Sequence, residues 1–198
     1  MPKAPSKTSA DTSVLSRKLI SKSNLQKKLD WPVEGKHAVV CLPMGLTKVL
    51  GGEIFENVID GLLTLPIEIL ILGKGSSSYG ELVKELQEKN EHRIAIIPND
   101  KNEIAEMYLA SDMAVFLSDP SDSVELGLCL ANGVVPITPE TKMLEAYNPV
   151  QEKGNSFMYK KQDPWHCFAA IVRALETYIF PFDWKTIQKQ CVKSVTEV

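Results

Sequence analysis

Residues 111–137 read SDMAVFLSDPSDSVELGLCLANGVVPI, and the order of apolar and polar positions in this stretch decides the fold. Ala114 to Leu117 is a short apolar run suited to a buried strand. Val124 to Ala131 is a mostly apolar helical stretch, and Asn132-Gly133 ends it before a second apolar run at Val134 to Ile137. Strand, polar elbow, helix and strand make half of an α/β unit. In open α/β sheets ligands settle beyond the carboxyl ends of the strands, where a helix N-terminus offers free N–H groups and the positive end of its dipole. The elbow SDPSDS (118–123) is therefore the first place to look for a site.

The same rhythm extends outward from this stretch. Short, nearly continuous apolar runs stand at 38–42 (AVVCL), 67–72 (IEILIL), 93–98 (RIAIIP), 113–117 (MAVFL), 134–137 (VVPI) and 156–159 (SFMY), as expected of strands covered on both faces. Helical patterns fall between them. Residues 52–65 place Ile54, Val58, Ile59 and Leu62 on one face, residues 79–90 place Leu82, Val83 and Leu86 likewise, and NEIAEMYLASD supplies a shorter third helix. A further helix over 163–178 opens with Asp163 as cap and Pro164 at its first position, and a terminal helix follows near 183–194. Strands alternating with helices predict an α/β fold: a doubly wound, mainly parallel sheet of about six strands joined by right-handed crossovers. No internal repeat points to a solenoid.

A chain of 198 residues with 44% hydrophobic and 24% charged residues can bury one sizeable core. Residues 1–13, MPKAPSKTSADTS, have the composition of a flexible arm. We expect that arm or linker over 1–19 and a single Rossmann-like domain over 20–198, opened by a short helix from Asn24 to Leu29 with Ser23 as its cap. A net charge of −3 gives no broad basic footprint, so nucleic acid is not expected as a partner. No apolar stretch is long enough to span a bilayer and the N-terminus lacks the apolar core of a signal peptide, so a cytoplasmic protein without membrane partners is expected. Cys41, Cys129, Cys167 and Cys191 are scattered among apolar neighbours, which fits buried free thiols better than a metal site or disulfides. His37, His92 and His166 are far apart, and none reads as a base.

Two further loops follow predicted strands. LGKGSSS (72–78) offers N–H groups, close backbone approach at Gly73 and Gly75, and the cation of Lys74 to a phosphate. It matches neither the spaced dinucleotide fingerprint nor a P-loop, so a plain strand-to-helix turn is an equal reading. PMGLTKVLGGE (43–53) has Lys48 as its one cation, which also reads as a solvated loop lysine. In the elbow, Ser121, Asp122 and Ser123 stand where a helix cap is the commoner use, and Asp119 and Asp122 oppose a diphosphate unless they point away.

Taken in series, VCLPMGLTKVLGGEIFENVIDGLL (40–63), IEILILGKG (67–75), IAEMYLASDMAVFLSDPSD (104–122), GLCLANGVVPI (127–137) and EKGNSFMY (152–159) resemble the C-terminal half of a glycogen or starch synthase, a two-lobed GT-B glycosyltransferase. The resemblance covers residues 20–195. LGKG looks like the family's Leu-Gly-x-Gly turn, ANGVVPI like its Tyr-Gly-x-x-Pro-Ile end and FDWKTIQKQCVKS (182–194) like its late tryptophan helix. It implies a lobe that binds the nucleotide of ADP- or UDP-glucose, with glucose transferred in a cleft against an N-terminal lobe that this sequence is expected to lack. The family's Gly-Arg-Leu-x-x-x-Lys-Gly loop, whose cations hold the donor phosphates, corresponds to 43–52. Met44 or Gly45 stands near the arginine there, and Lys48 lies one or two places off the lysine. The family's Phe-Glu-Pro-Cys-Gly elbow becomes DPSDS, with Asp119 or Ser121 near the sugar-binding glutamate. A second acid, for the ribose, is matched by Leu128, with Glu125 one turn earlier.

These comparisons leave Lys48, Gly73, Lys74, Gly75, Ser121, Ser123, Val124 and Glu125 as candidate nucleotide or phosphate contacts, with no catalytic residue, no cofactor and no metal. A leaving diphosphate needs fixed cations and oriented donors, and this set supplies few of them. The expected function is a glycogen/starch synthase-like lobe that does not catalyse alone and binds a nucleotide sugar, a glucan or a partner. Apolar Met44, Leu46, Val49, Leu50 and Tyr147, on the cleft side, suggest a protein partner or a homodimer. The alternatives are the functional C-terminal half of a glucosyltransferase whose N-terminal lobe is separate or removed, and an unrelated doubly wound enzyme using Asp119 or Asp122 as acid or base.

Overall fold

A computed structural model describes the backbone of residues 7–196 and the side chains of 16–195. The elements run α1 (Lys7–Lys28), β1 (Ala38–Leu42), α2 (Gly52–Leu62), β2 (Ile67–Leu72), α3 (Ser77–Lys89), β3 (Ile94–Ile97), α4 (Lys101–Ala110), β4 (Met113–Val115), α5 (Val124–Ala131), β5 (Val135–Pro139), β6 (Phe157–Tyr159), α6 (Pro164–Tyr178) and α7 (Pro181–Thr196). Six strands form one sheet in the order β3-β2-β1-β4-β5-β6, and every neighbouring pair is parallel. The order reverses between β1 and β4, which makes the space beyond their carboxyl ends the switch point of a doubly wound sheet.

Each residue of β1, β2, β4 and β5 is buried, as continuous apolar runs under helices on both faces require. β4 is shorter than its apolar run, although Phe116 N still donates to Ile137 O beyond the last paired residue. The helix start read at Asp163-Pro164 holds, with the Asp163 carboxylate accepting from His166 N. All four cysteines are free and buried. Among the described residues no helix is long and apolar enough to cross a membrane.

The N-terminal region differs from expectation. Of the predicted arm, residues 1–6 lie outside the described residues, while α1 begins at Lys7 and continues unbroken to Lys28. Ser23 therefore sits inside a helix rather than capping one, and its hydroxyl donates to Leu19 O. The reason for the difference is chemical: the buried face of α1 carries Lys18, Lys22 and Gln26 at four-residue spacing, with Leu25 beside them. Lys18 Nζ donates to Ser111 O at 2.6 Å and Tyr108 O at 3.3 Å. Lys22 Nζ pairs with Asp112 Oδ2 at 2.8 Å. Gln26 Nε2 donates to both carboxylate oxygens of Glu68, at 3.0 and 2.8 Å. Burial raises the Glu68 carboxyl above its usual range, while the Gln26 bonds act against that rise. A helix docked by polar pairs leaves no apolar stripe in the sequence.

Candidate functional site

The loops that leave β1 and β2 are joined side by side beyond the sheet. Leu46 N donates to Lys74 O and Ser76 N donates to Leu46 O, both at 3.1 Å, so Leu46 and Gly75 form a short parallel bridge. Two glycines make this approach possible. Gly45 has φ +68°, and a Cβ there would lie 1.6 Å from Lys74 O; a Cβ on Gly75 would lie 2.1 Å from Leu46 O. Gly75 of LGKG therefore serves the packing of one loop on another, while Gly73 lies against the end of β3.

Beside this junction a cavity of about 430 Å³ is lined by Gly73, Lys74 and Gly75, by Leu46, and by Tyr79 and Lys84 of α3. The N-terminus of α3 borders it, and Ser76 at the cap position makes no side-chain cap bond, so first-turn N–H groups remain open to an acceptor. Lys84 has no ion pair among the described residues. It was not foreseen because the α3 pattern was read only for its core face. Its place one turn after Gly80, behind a glycine-rich loop, was the available signal.

The predicted cations are neutralised by acids. Lys74 Nζ lies 3.2 Å from Glu125 Oε1 in the first turn of α5. Lys48 Nζ lies 3.1 Å from Glu53 Oε1, out in solvent, and its pKa is raised by that hydrogen bond. The structure thus gathers Gly73, Lys74, Gly75 and Glu125, and Lys48 is not among the residues that line the cavity. Ser121, which we expected as a contact, is spent within the elbow: its N and Oγ both donate to Asp119 Oδ1, and its Oγ lies 2.7 Å from Thr141 Oγ1. Ser123 Oγ accepts from Leu126 N as the cap of α5, leaving Val124 exposed at the first helical position. Asp119 and Asp122 are both exposed.

Of the apolar residues expected to form a partner face, Leu46 is buried, Met44 and Tyr147 pack against the core, and Val49 is exposed. Tyr147 also donates to Asp183 Oδ1 at 2.9 Å. Met44, Leu46 and Tyr147 thus return to their own core, Leu50 is half-buried, and Val49 alone of the five stands out in solvent.

The fold and the crevice define a class, the Rossmann-like lobe of a GT-B glycosyltransferase. Within it, the chain is a glycogen/starch synthase-like C-terminal lobe. It is 31% identical over 183 residues to the glycogen synthase of Caldicellulosiruptor bescii, a match covering 89% of this chain and 38% of that protein. The chain therefore spans less than half the length of the curated relatives it matches. The fold is similar to the catalytic domain of starch synthase IV from Arabidopsis thaliana bound to ADP and acarbose, with a TM-score of 0.73, 16% identity, and coverage of 93% of this chain and 41% of that one. It is also similar to Anabaena HepE in complex with UDP and glucose, with a TM-score of 0.62, 15% identity and coverage of 90% and 48%. No family model matches the chain.

Proposed function

We propose that this lobe binds the nucleotide part of an ADP- or UDP-sugar weakly, at the cavity bordered by Lys74 and α3, and does not transfer the sugar by itself. The observation that carries the reading is the pairing of Lys74 with Glu125 and of Lys48 with Glu53. Transfer from a nucleotide sugar places growing negative charge on the leaving diphosphate, and catalysis depends on cations already aimed at it. Here each expected cation faces a carboxylate. The open first turn of α3 and the unpaired Lys84 support retained binding of a phosphate. Structural neighbours with bound ADP or UDP support a nucleotide as the ligand. Buried free thiols favour a reducing compartment, the cytoplasm, as its place.

The test has two arms on the same protein. Calorimetric titration with ADP, UDP, ADP-glucose and UDP-glucose is expected to give saturable binding of about millimolar strength. An assay of glucose incorporation into glycogen is expected to give none. Turnover by the chain alone overturns the reading. Turnover only when the N-terminal lobe of a glycogen synthase is added favours the alternative, a functional half that needs its partner lobe to close the cleft. Absence of binding to every nucleotide moves the function to a glucan or a protein partner.

A further inference from the structure

We propose that a second cavity, enclosed by α1, α6 and α7, is a ligand site for a small organic anion with an apolar or aromatic body. It has a volume of about 640 Å³, within the range of small-molecule sites. Its wall includes Lys36, just before β1, and Asp112, just before β4. It therefore lies at the amino ends of the central strands, whereas the nucleotide cavity lies beyond their carboxyl ends, and the two sites are independent.

The argument is a count of donors and acceptors. An ammonium has three N–H donors. Those of Lys22 all have acceptors, in His37 O, Asp112 Oδ2 and Tyr178 Oη. Asp112, the one carboxylate lining the cavity, is held by its Oδ2, which accepts from Lys22, from Val39 N and from the Tyr178 hydroxyl. Lys18 is only 5% exposed, donates to two backbone carbonyls, and has no ion pair among the described residues. One of its N–H groups therefore lacks an acceptor among the described residues. Trp184 also lines the cavity, and its indole Nε1–H is buried with no acceptor.

A buried polar hydrogen without a partner costs roughly 1–3 kcal/mol, so two beside one cavity call for an explanation. Lys18 and Trp184 both offer donors, and a bound species that satisfies them is an acceptor. Lys36 and Lys185 stand exposed on the same wall without ion pairs among the described residues, which adds positive charge and makes that acceptor an anion. Burial pushes the Lys18 ammonium down to about 8, and the nearby Asp112 charge only partly offsets that fall. Much of the remaining wall is apolar, with Gln188 and the Tyr178 hydroxyl among its polar exceptions. Leu19 and Ile179 are each 69% exposed although they line a cavity, and they offer surface to a hydrophobic body.

The test follows the indole N–H signals of Trp31, Trp165 and Trp184 in a two-dimensional ¹H–¹⁵N spectrum, with Trp184→Phe assigning the third. Phenyl phosphate, inorganic phosphate and phenol are titrated into the full chain. Phenyl phosphate is expected to move the Trp184 signal saturably. Trp31, whose Nε1 donates to Glu91 O at 2.8 Å, and exposed Trp165 stay in place. Each half-probe is expected to bind at least about tenfold more weakly, and Lys36→Ala/Lys185→Ala to weaken phenyl phosphate by about tenfold or more. Both lysines are exposed, and an unmoved Trp31 signal confirms that the double variant keeps its fold. No saturable shift up to about 20 mM, an affinity for phenol equal to that for phenyl phosphate, or a double variant that binds unchanged each overturns the proposal. Because the readout is Trp184, failure of nucleotide binding at the other end of the sheet leaves this test intact.

Discussion

Lys74 Nζ stands 3.2 Å from Glu125 Oε1, so the cation of the loop after β2 is held by the acid that opens α5. The pair crosses the switch point of the sheet from the β2 side to the β4 side. Any phosphate that approaches Lys74 meets a carboxylate already in place, and it must compete for the same N–H donors.

Removing that competitor is therefore expected to strengthen nucleotide binding. Glu125→Gln keeps the side-chain size and deletes the charge. Lys74 is about half exposed, so the gain is modest, roughly three- to tenfold in the calorimetric affinity for ADP. Lys74→Met is expected to reverse it when combined with Glu125→Gln. An unchanged affinity in Glu125→Gln would show that Lys74 does not contact the phosphate. Because the pair is solvent-screened, stability is expected to change by less than about 1 kcal/mol.

The loop junction depends on Gly45 more than on any side chain around it. Its φ of +68° and the 1.6 Å approach of an added Cβ to Lys74 O combine left-handed backbone with a collision against main chain, which cannot rotate away. Gly45→Ala is expected to lower unfolding stability by roughly 2–4 kcal/mol in urea denaturation. It should also weaken ADP binding, since Lys74 is displaced with its carbonyl.

The sheet was legible because its strands are buried on both faces, so AVVCL, IEILIL and MAVFL announce themselves as continuous apolar runs. α1 was not legible beyond its last turns. Its buried positions, Lys18, Lys22 and Gln26, are polar, and each is docked by a group distant in sequence, so no periodicity records them. The candidate site was legible as loops but not as a charge distribution. That Lys74 should meet Glu125, or Lys48 meet Glu53, depends on which loops the topology brings together and where flexible stems settle. Ser121 and Ser123 looked available because a sequence shows hydroxyls but not what already occupies them.

The Lys22–Asp112 pair is the polar counterpart of the core. Both side chains are nearly enclosed, 2.8 Å apart, and Asp112 also accepts from Val39 N at 2.9 Å. Removing one partner leaves the other buried and uncompensated, which typically costs about 3–5 kcal/mol. Asp112→Ala is expected to show that loss as a lowered urea midpoint with an unchanged slope. Glu103→Gln, which touches the exposed Lys28 pair, leaves the midpoint where it is.

Lys18 makes stability depend on pH in the opposite sense to a normal ion pair. Desolvation by burial, partly countered by the Asp112 charge, lowers its pKa from 10.5 to about 8. The unfolded chain then binds a proton that the folded chain has released between those values, so stability from this group rises with pH across that window. Its cost is fully present below about pH 8 and is relieved as pH approaches 10.5. About two and a half pH units at 1.36 kcal/mol each amount to roughly 3 kcal/mol. Cys167 and Cys191, both pushed up to about 12 by burial, act the other way: their stabilising effect is complete below their ordinary value of 9.0 and fades above it. The wild-type curve alone therefore mixes the two, and comparison with Lys18→Met isolates the lysine. Lys18→Met is expected to be as stable as wild type or more stable at pH 7, with its advantage shrinking by about 2–3 kcal/mol by pH 10 in parallel urea titrations. A difference between the two proteins that stays constant with pH would mean that Lys18 keeps an ordinary pKa in the folded chain.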